Sequence, residues 1–203
     1  MFTESAALYD LIYAQFKNYS DEAAPLDALL RRVHPLCHSI LDVASGTGEH
    51  MRHLANAHGF QVDGLDLDRR FLDTAARRNP GGRVWEAGMR AFDLAERYGA
   101  VVVEPWFAPG QLDAAYVMRN VAETPELRVE RVRQTEIVMR LSRLQFNYTL
   151  TDASGVRHAT EVHQLRRVRT VEMLAAVARA VLHATYEEPS LDGRGIHIGY
   201  RAA

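Results

Sequence analysis

Ser39-Ile40-Leu41-Asp42-Val43-Ala44-Ser45-Gly46-Thr47-Gly48 is the stretch from which the fold can be read. Residues 39–44 are short and mostly apolar, as in a buried strand, and the small residues after them make a turn. Residues 49–58 follow with helical periodicity, and Gly59 suits the left-handed position that ends a helix. Outward from this unit the pattern repeats. A strand is expected over 60–67, a helix over 69–79, a loop over 79–82 and a short strand over 83–86. Strand and helix alternating at this spacing predict right-handed βαβ units and a parallel sheet. Upstream, Leu8, Ile12 and Phe16 mark a helix over 5–18, with Tyr9 and Tyr13 beside them. A second helix is expected over 21–33, capped by Ser20 and closed by Pro35.

Downstream the pattern changes. Residues 100–103 are an apolar strand that stops at Pro105. Residues 127–150 and 158–168 alternate with period two, as in long antiparallel strands. Leu144, Phe146, Tyr148 and Leu150 share one face, whereas Ile137, Met139 and Leu141 have the opposite phase, so a bulge or turn is expected near Ser142. Val171, Leu174, Val177 and Val181 mark an amphipathic helix over 170–180, and a last strand over 196–200 follows the turn Asp192-Gly193-Arg194-Gly195. The expected fold class is α/β, a Rossmann-like core with a parallel sheet plus an antiparallel β appendage. It forms one domain: a helical cap over 1–35, a cofactor-binding core over 36–105, and an appendage with a helix and last strand over 106–203.

Composition narrows the function. Lys+Arg at 24 against Asp+Glu at 26 gives a net charge of −2, which excludes the basic footprint of a nucleic-acid binder and the polybasic face of a membrane-surface protein. Hydrophobic residues at 47% and charged residues at 25% are ordinary globular usage. No apolar run approaches the ~18 residues of a spanning helix. The opening MFTESAALYD lacks the positive segment of a signal peptide. The single cysteine, Cys37, reads as a buried thiol, and the expected compartment is the cytoplasm. His50 and His53 share a helical face without a third ligand, so no metal site is expected. Lys17 is the sole lysine and sits among aromatics in YAQFKNY.

The glycine turn carries the chemistry. Glycines at the first βα turn let a ligand approach free backbone N–H groups at a helix N-terminus. Asp66, at the end of the next strand, stands where a carboxylate reaches a ribose diol. A dinucleotide site wants a third glycine where Met51 stands, and Glu49 would repel a pyrophosphate. A nicotinamide-dependent oxidoreductase is therefore disfavoured. A cationic adenosine ligand without phosphates suits Asp42, Glu49 and Asp66 better, and S-adenosylmethionine has those features.

ILDVASGTGEH, VDGLDLD and VWEAGMRAFDL resemble successive motifs of class I S-adenosylmethionine-dependent methyltransferases. YDLIYAQFKNY, VVVEPWFAPG and GRGIHIGY are narrower. They resemble the N,N-dimethyltransferases acting on nucleotide-linked amino sugars in antibiotic pathways, the desosamine and mycaminose type. The resemblance implies that Gly46 and Gly48, with Ala44 and Ser45 in the loop, line the methionine moiety. It gives Asp66 the ribose, Leu67 and Met89 the adenine, and Gly88 the place where the family has an acid. Tyr13, Lys17 and Tyr19 fall in the segment that closes over cofactor and sugar, and Tyr13 is the candidate catalytic group. Trp106 and Phe107 follow the strand over 101–104 at the edge where ligands collect. Arg194 and Lys17 would meet the nucleotide phosphates. The implied acceptor is a nucleotide-linked deoxyamino sugar, and the implied assembly is a homodimer.

One departure matters. Tyr98-Gly99-Ala100-Val101-Val102 looks like the start of the family's fourth strand, and Val101-Val102-Val103-Glu104-Pro105 like its fifth. About one βαβ unit, ~30 residues, is missing between them. The merged strand is expected beside the first strand, in a shortened sheet with weakened cofactor binding. The alternative it raises is a non-catalytic relative acting as a binding or assembly subunit.

Overall fold

The computed structural model describes residues 5–90, 92–112, 116–180, 183–188 and 193–201. Val181 and Asp192, placed above in a helix and a turn, lie outside the described residues. The chain divides into two compact units, residues 18–105 with 169–203, and residues 1–17 with 106–168.

The first unit contains α2 (Tyr19–Val33), β1 (Ser39–Val43), α3 (Glu49–His58), β2 (Gln61–Asp66), α4 (Arg69–Arg78), β3 (Val84–Glu86), β4 (Ala100–Val103), α5 (Thr170–Arg179), β9 (His183–Glu187) and β10 (Ile196–Tyr200). Its six-stranded sheet has the order β3-β2-β1-β4-β10-β9. β3, β2, β1 and β4 run parallel, and β10 and β9 add antiparallel lanes. The merged strand lies where it was expected. Ile40 pairs with Ala100 and Val43 with Val103, so β4 fills the lane next to β1. The core of this unit buries Leu26 and Leu30 of α2, Ile40, Met51, Leu54, Val62, Val102 and Ile198.

Helix ends follow local chemistry. α2 starts two residues earlier than the Ser20 cap would place it, because the Asn18 side chain accepts the Asp21 N–H. Acids Asp21 and Glu22 in its first turn and Arg31 and Arg32 in its last complement the helix dipole. α3 ends at Gly59 in the left-handed conformation (φ 74°), as read from the sequence. α5 departs from expectation. Its apolar stripe buries no side chain, and Val171 is 65% exposed.

The second unit holds α1 (Ser5–Tyr13) and a sheet of β5 (Val117–Glu123), β6 (Leu127–Val138), β7 (Leu141–Asp152) and β8 (Gly155–Arg166), antiparallel throughout. The phase slip near Ser142 is a hairpin turn. Met139, with a φ of 55°, and Arg140 separate paired Val138 and Leu141, so the long strand expected over 127–150 is two strands. Leu8 and Ile12 of α1 pack onto Val129, Leu144, Phe146, Tyr148 and Leu150. α1 stops at Tyr13, short of the expected Asn18.

Candidate functional site

The carboxyl ends of β1, β2 and β3 converge on the loop of residues 44–48. Ala44, Gly46 and Gly48 all have positive φ, at 65°, 56° and 77°. Ala44 holds that conformation against its own Cβ, a form of backbone strain that a surrounding framework must impose. The framework is visible. The N–H groups of Ala44 and Ser45 donate to the Leu65 carbonyl at 2.7 and 3.1 Å. From α4, the Asn79 amide donates to the Gly48 carbonyl at 3.1 Å and Arg78 to the Thr47 carbonyl at 2.9 Å. A side chain at Gly48 would meet Asn79 Nδ2 at 2.6 Å, so glycine is required twice over, for φ and for space.

Asp66 closes the site. Its Oδ2 accepts the Gly46 N–H at 2.9 Å and its Oδ1 accepts the Asp68 N–H at 3.0 Å. In front of Gly46, a Cβ would find nothing within 4 Å. Leu67, next to Asp66, is 77% exposed, and a Cβ at Gly88 would lie 3.2 Å from its Cδ2. Met89 is 46% exposed. The structure therefore brings Ala44, Ser45, Gly46, Gly48, Asp66, Leu67 and Gly88 to one edge of the sheet, with Met89 next to Gly88. The open space at Gly46, the adjoining carboxylate and an exposed apolar side chain fit an adenosine ligand with a ribose diol.

Glu49 and Met51 behave differently from what their positions in the sequence imply. Glu49 is compensated by Arg52 at 2.7 Å and Arg78 at 3.2 Å, so the negative character of the loop rests on Asp42 and Asp66. Met51 does not loosen the packing of helix on strand. It is fully buried, and the close approach comes from the opposite side, where a Cβ at Gly64 of β2 would sit 2.6 Å from its sulfur.

A second group went unread. Asp42, His50 and Glu104 line a narrow crevice with Leu26, Leu54 and Val102. Burial pushes the Asp42 carboxyl up to about 6, with the His50 charge opposing and Asp66 reinforcing the rise. His50 also meets Glu22 at 2.7 Å and stacks edge-on against Tyr19, with ring centroids 5.0 Å apart. Arg194 meets Glu104 at 2.9 Å. Spacing along the chain gives no sign of this group, because its members come from four separate elements and one turn.

The remaining expected residues lie in the other unit. Tyr13 stacks on Tyr9 at 4.0 Å and lies under the Arg131 guanidinium at 5.1 Å. Trp106 contacts Phe107 edge-on at 5.1 Å and lies under Arg133 at 5.8 Å. Lys17 is half-buried just beyond α1.

A methyltransferase domain family matches residues 40–128. The chain is 32% identical to the dTDP-3-amino-3,6-dideoxy-alpha-D-glucopyranose N,N-dimethyltransferase of Streptomyces fradiae, covering 98% of this chain and 92% of the relative. The chain belongs to the family of S-adenosylmethionine-dependent amino-sugar N-methyltransferases. That alignment spans 235 positions although the chain has 203 residues, so the relative carries residues that have no counterpart here. The crystal structure of Streptomyces venezuelae DesVI superimposes with a TM-score of 0.86 at 29% identity, covering 97% of this chain and 98% of that one. The S-adenosylmethionine-bound CalS10 from Micromonospora echinaspora, an amino pentose methyltransferase of calicheamicin biosynthesis, superimposes with a TM-score of 0.81 at 28% identity, covering 100% and 98%. The family's cofactor is S-adenosylmethionine. Among the described residues, no helix is long and apolar enough to cross a membrane.

Proposed function

We propose that the protein transfers methyl groups from S-adenosylmethionine to the amine of a dTDP-linked deoxyamino sugar in antibiotic biosynthesis. The observation that carries this reading is the alignment over nearly the whole of a sugar-nucleotide N,N-dimethyltransferase, together with the Asp66–Gly46 arrangement at the sheet edge. When bound, the cofactor supplies an electrophilic methyl group on a sulfonium.

The chain's residues bind and orient. Asp66 accepts from the ribose hydroxyls while holding the glycine loop, and Leu67 and Met89 flank the adenine. Gly88 leaves room beside Leu67 for the base. Ala44, Ser45, Gly46 and Gly48 present backbone to the methionine moiety, and Asp42 complements positive charge. On the acceptor side the reading assigns Tyr13, Lys17, Tyr19, Trp106, Phe107 and Arg194. The acceptor amine must be neutral to attack, so orientation of the two reactants supplies most of the rate. Tyr13 is the catalytic candidate by family position, and the proton shed by the methylated amine can pass to water. A cytoplasmic homodimer, with no membrane or nucleic-acid partner, completes the reading and accords with the balanced charge.

The test is release of S-adenosylhomocysteine with dTDP-3-amino-3,6-dideoxyglucose against the same sugar nucleotide bearing a 3-hydroxyl. Turnover with the amine alone is expected. Turnover with neither sugar would remove the proposal.

A further inference from the structure

Asp42 stands two residues before the glycine loop, in a crevice whose walls are Leu26, Leu54 and Val102. Burial and neighbouring charges alone act on its carboxyl, and no hydrogen bond among the described residues holds it. A carboxyl in such surroundings keeps its proton readily, because apolar walls do not solvate the anion. A neutral Asp42 would not complement a cation. The site therefore depends on whatever favours the charged form.

The charged groups around Asp42 come from every element packed on it. Asp66, at the end of β2, opposes ionisation, whereas His50 of α3 favours it. Glu104, just after β4, shares the crevice and is met by Arg194 at 2.9 Å. Glu49, beside His50 on α3, is met by Arg52 and Arg78. His50 itself is held from α2. Its Nε2 lies 2.7 Å from Glu22 Oε2, with the two side chains 19% and 14% exposed. The Tyr19 ring packs edge-on against the imidazole, with centroids 5.0 Å apart. These two contacts fix the ring, so its charge, when protonated, falls in the crevice that Asp42 lines.

We propose that His50, anchored by Glu22 and Tyr19, is a positioning residue that keeps Asp42 ionised for the cationic end of the cofactor. This rests on the cofactor reading above. In this role His50 acts through Asp42 and not on the reacting atoms. As pH falls, the imidazole takes up a proton, and its charge delays protonation of the carboxyl.

Carbon-13 NMR of the aspartate carboxyls in cofactor-free protein reads Asp42 directly, and Asp42→Asn identifies its signal. His50→Gln keeps a hydrogen-bonding group near Glu22 and loses the charge. In that variant the Asp42 midpoint is expected to move up by roughly half to one pH unit. His50→Asn serves the same test if the glutamine variant does not fold. Calorimetry then reads S-adenosylmethionine binding. His50→Gln should bind within about 1.5-fold of wild type at pH 8 and about two- to fivefold more weakly at pH 6. An unmoved Asp42 midpoint would overturn the proposal. Equal loss of affinity at both pH values, the mark of a merely structural role, would overturn it too, as would equal or tighter binding at pH 6. If the Asp42 midpoint moves but wild-type protein binds no S-adenosylmethionine at either pH, the coupling of His50 to Asp42 stands and the cofactor reading fails.

Discussion

Asp66 holds the glycine loop with the carboxylate proposed to meet the ribose, and its replacement should show both tasks. Asp66→Ala removes the acceptor for the Gly46 and Asp68 N–H groups and, on the proposed reading, the ribose contact with them. Losing one buried acceptor costs about 1–3 kcal/mol, so calorimetry should show S-adenosylmethionine binding at least about tenfold weaker. Asp66→Glu should be milder, because the carboxylate survives. Two other residues set opposing pH dependences. Asp42 has its folded pKa raised to about 6, so unfolding releases its proton more readily and its contribution falls as pH rises from about 4 to 6. His197 is buried on β10 and held down to about 4, so its contribution is full above pH 6.5 and is lost as pH falls towards 4. Thermal melts of Asp42→Asn should therefore lose stability more steeply than wild type between pH 6 and 4. Parallel melting curves for the two proteins over that window would contradict the Asp42 assignment.

Among the elements, α3 and β2 meet most closely where Gly64 faces Met51. A Cβ at Gly64 would lie 2.6 Å from both the Met51 sulfur and the Ser45 hydroxyl oxygen. Gly64→Ala should cost about 1–3 kcal/mol by overpacking. Met51→Ala in the same chain should recover part of that loss, and a double-mutant cycle reads the coupling. If the two losses simply add, the contact does not govern the packing. These elements were legible because their signals are local: alternation for β1 and β2, periodicity for α3, and Gly59 for its end. β9 was not, since His183–Glu187 follows a helix without a breaker. β5 was missed for a different reason. Val117–Glu123 mixes polar and apolar residues without a clean phase, because its strand has a half-exposed face. α5 shows the reverse failure. Its apolar stripe was read correctly, but periodicity says where a face is and not whether anything covers it.

For the whole molecule, the merged strand shows how far sequence reasoning reaches. The motifs on both sides of Val101 identified the loss of a βαβ unit, and burial argued that the survivor would sit beside β1, as it does. The juxtaposition of the glycine turn with Asp66 was legible for a similar reason, since Gly46, Gly48 and Asp66 lie within two consecutive βα units. Residues assembled from distant elements escaped. The Asp42–His50–Glu104 crevice and the Tyr148–Glu161 hydrogen bond depend on strand register, which a single sequence leaves open. The edge formed by β1, β2 and β3 is expected to hold S-adenosylmethionine although the sheet has lost a lane. Calorimetric titration of the wild-type chain with S-adenosylmethionine tests it most directly. Saturable binding at one site per chain is expected, and an absence of saturable binding in folded protein would exclude a cofactor site at this edge.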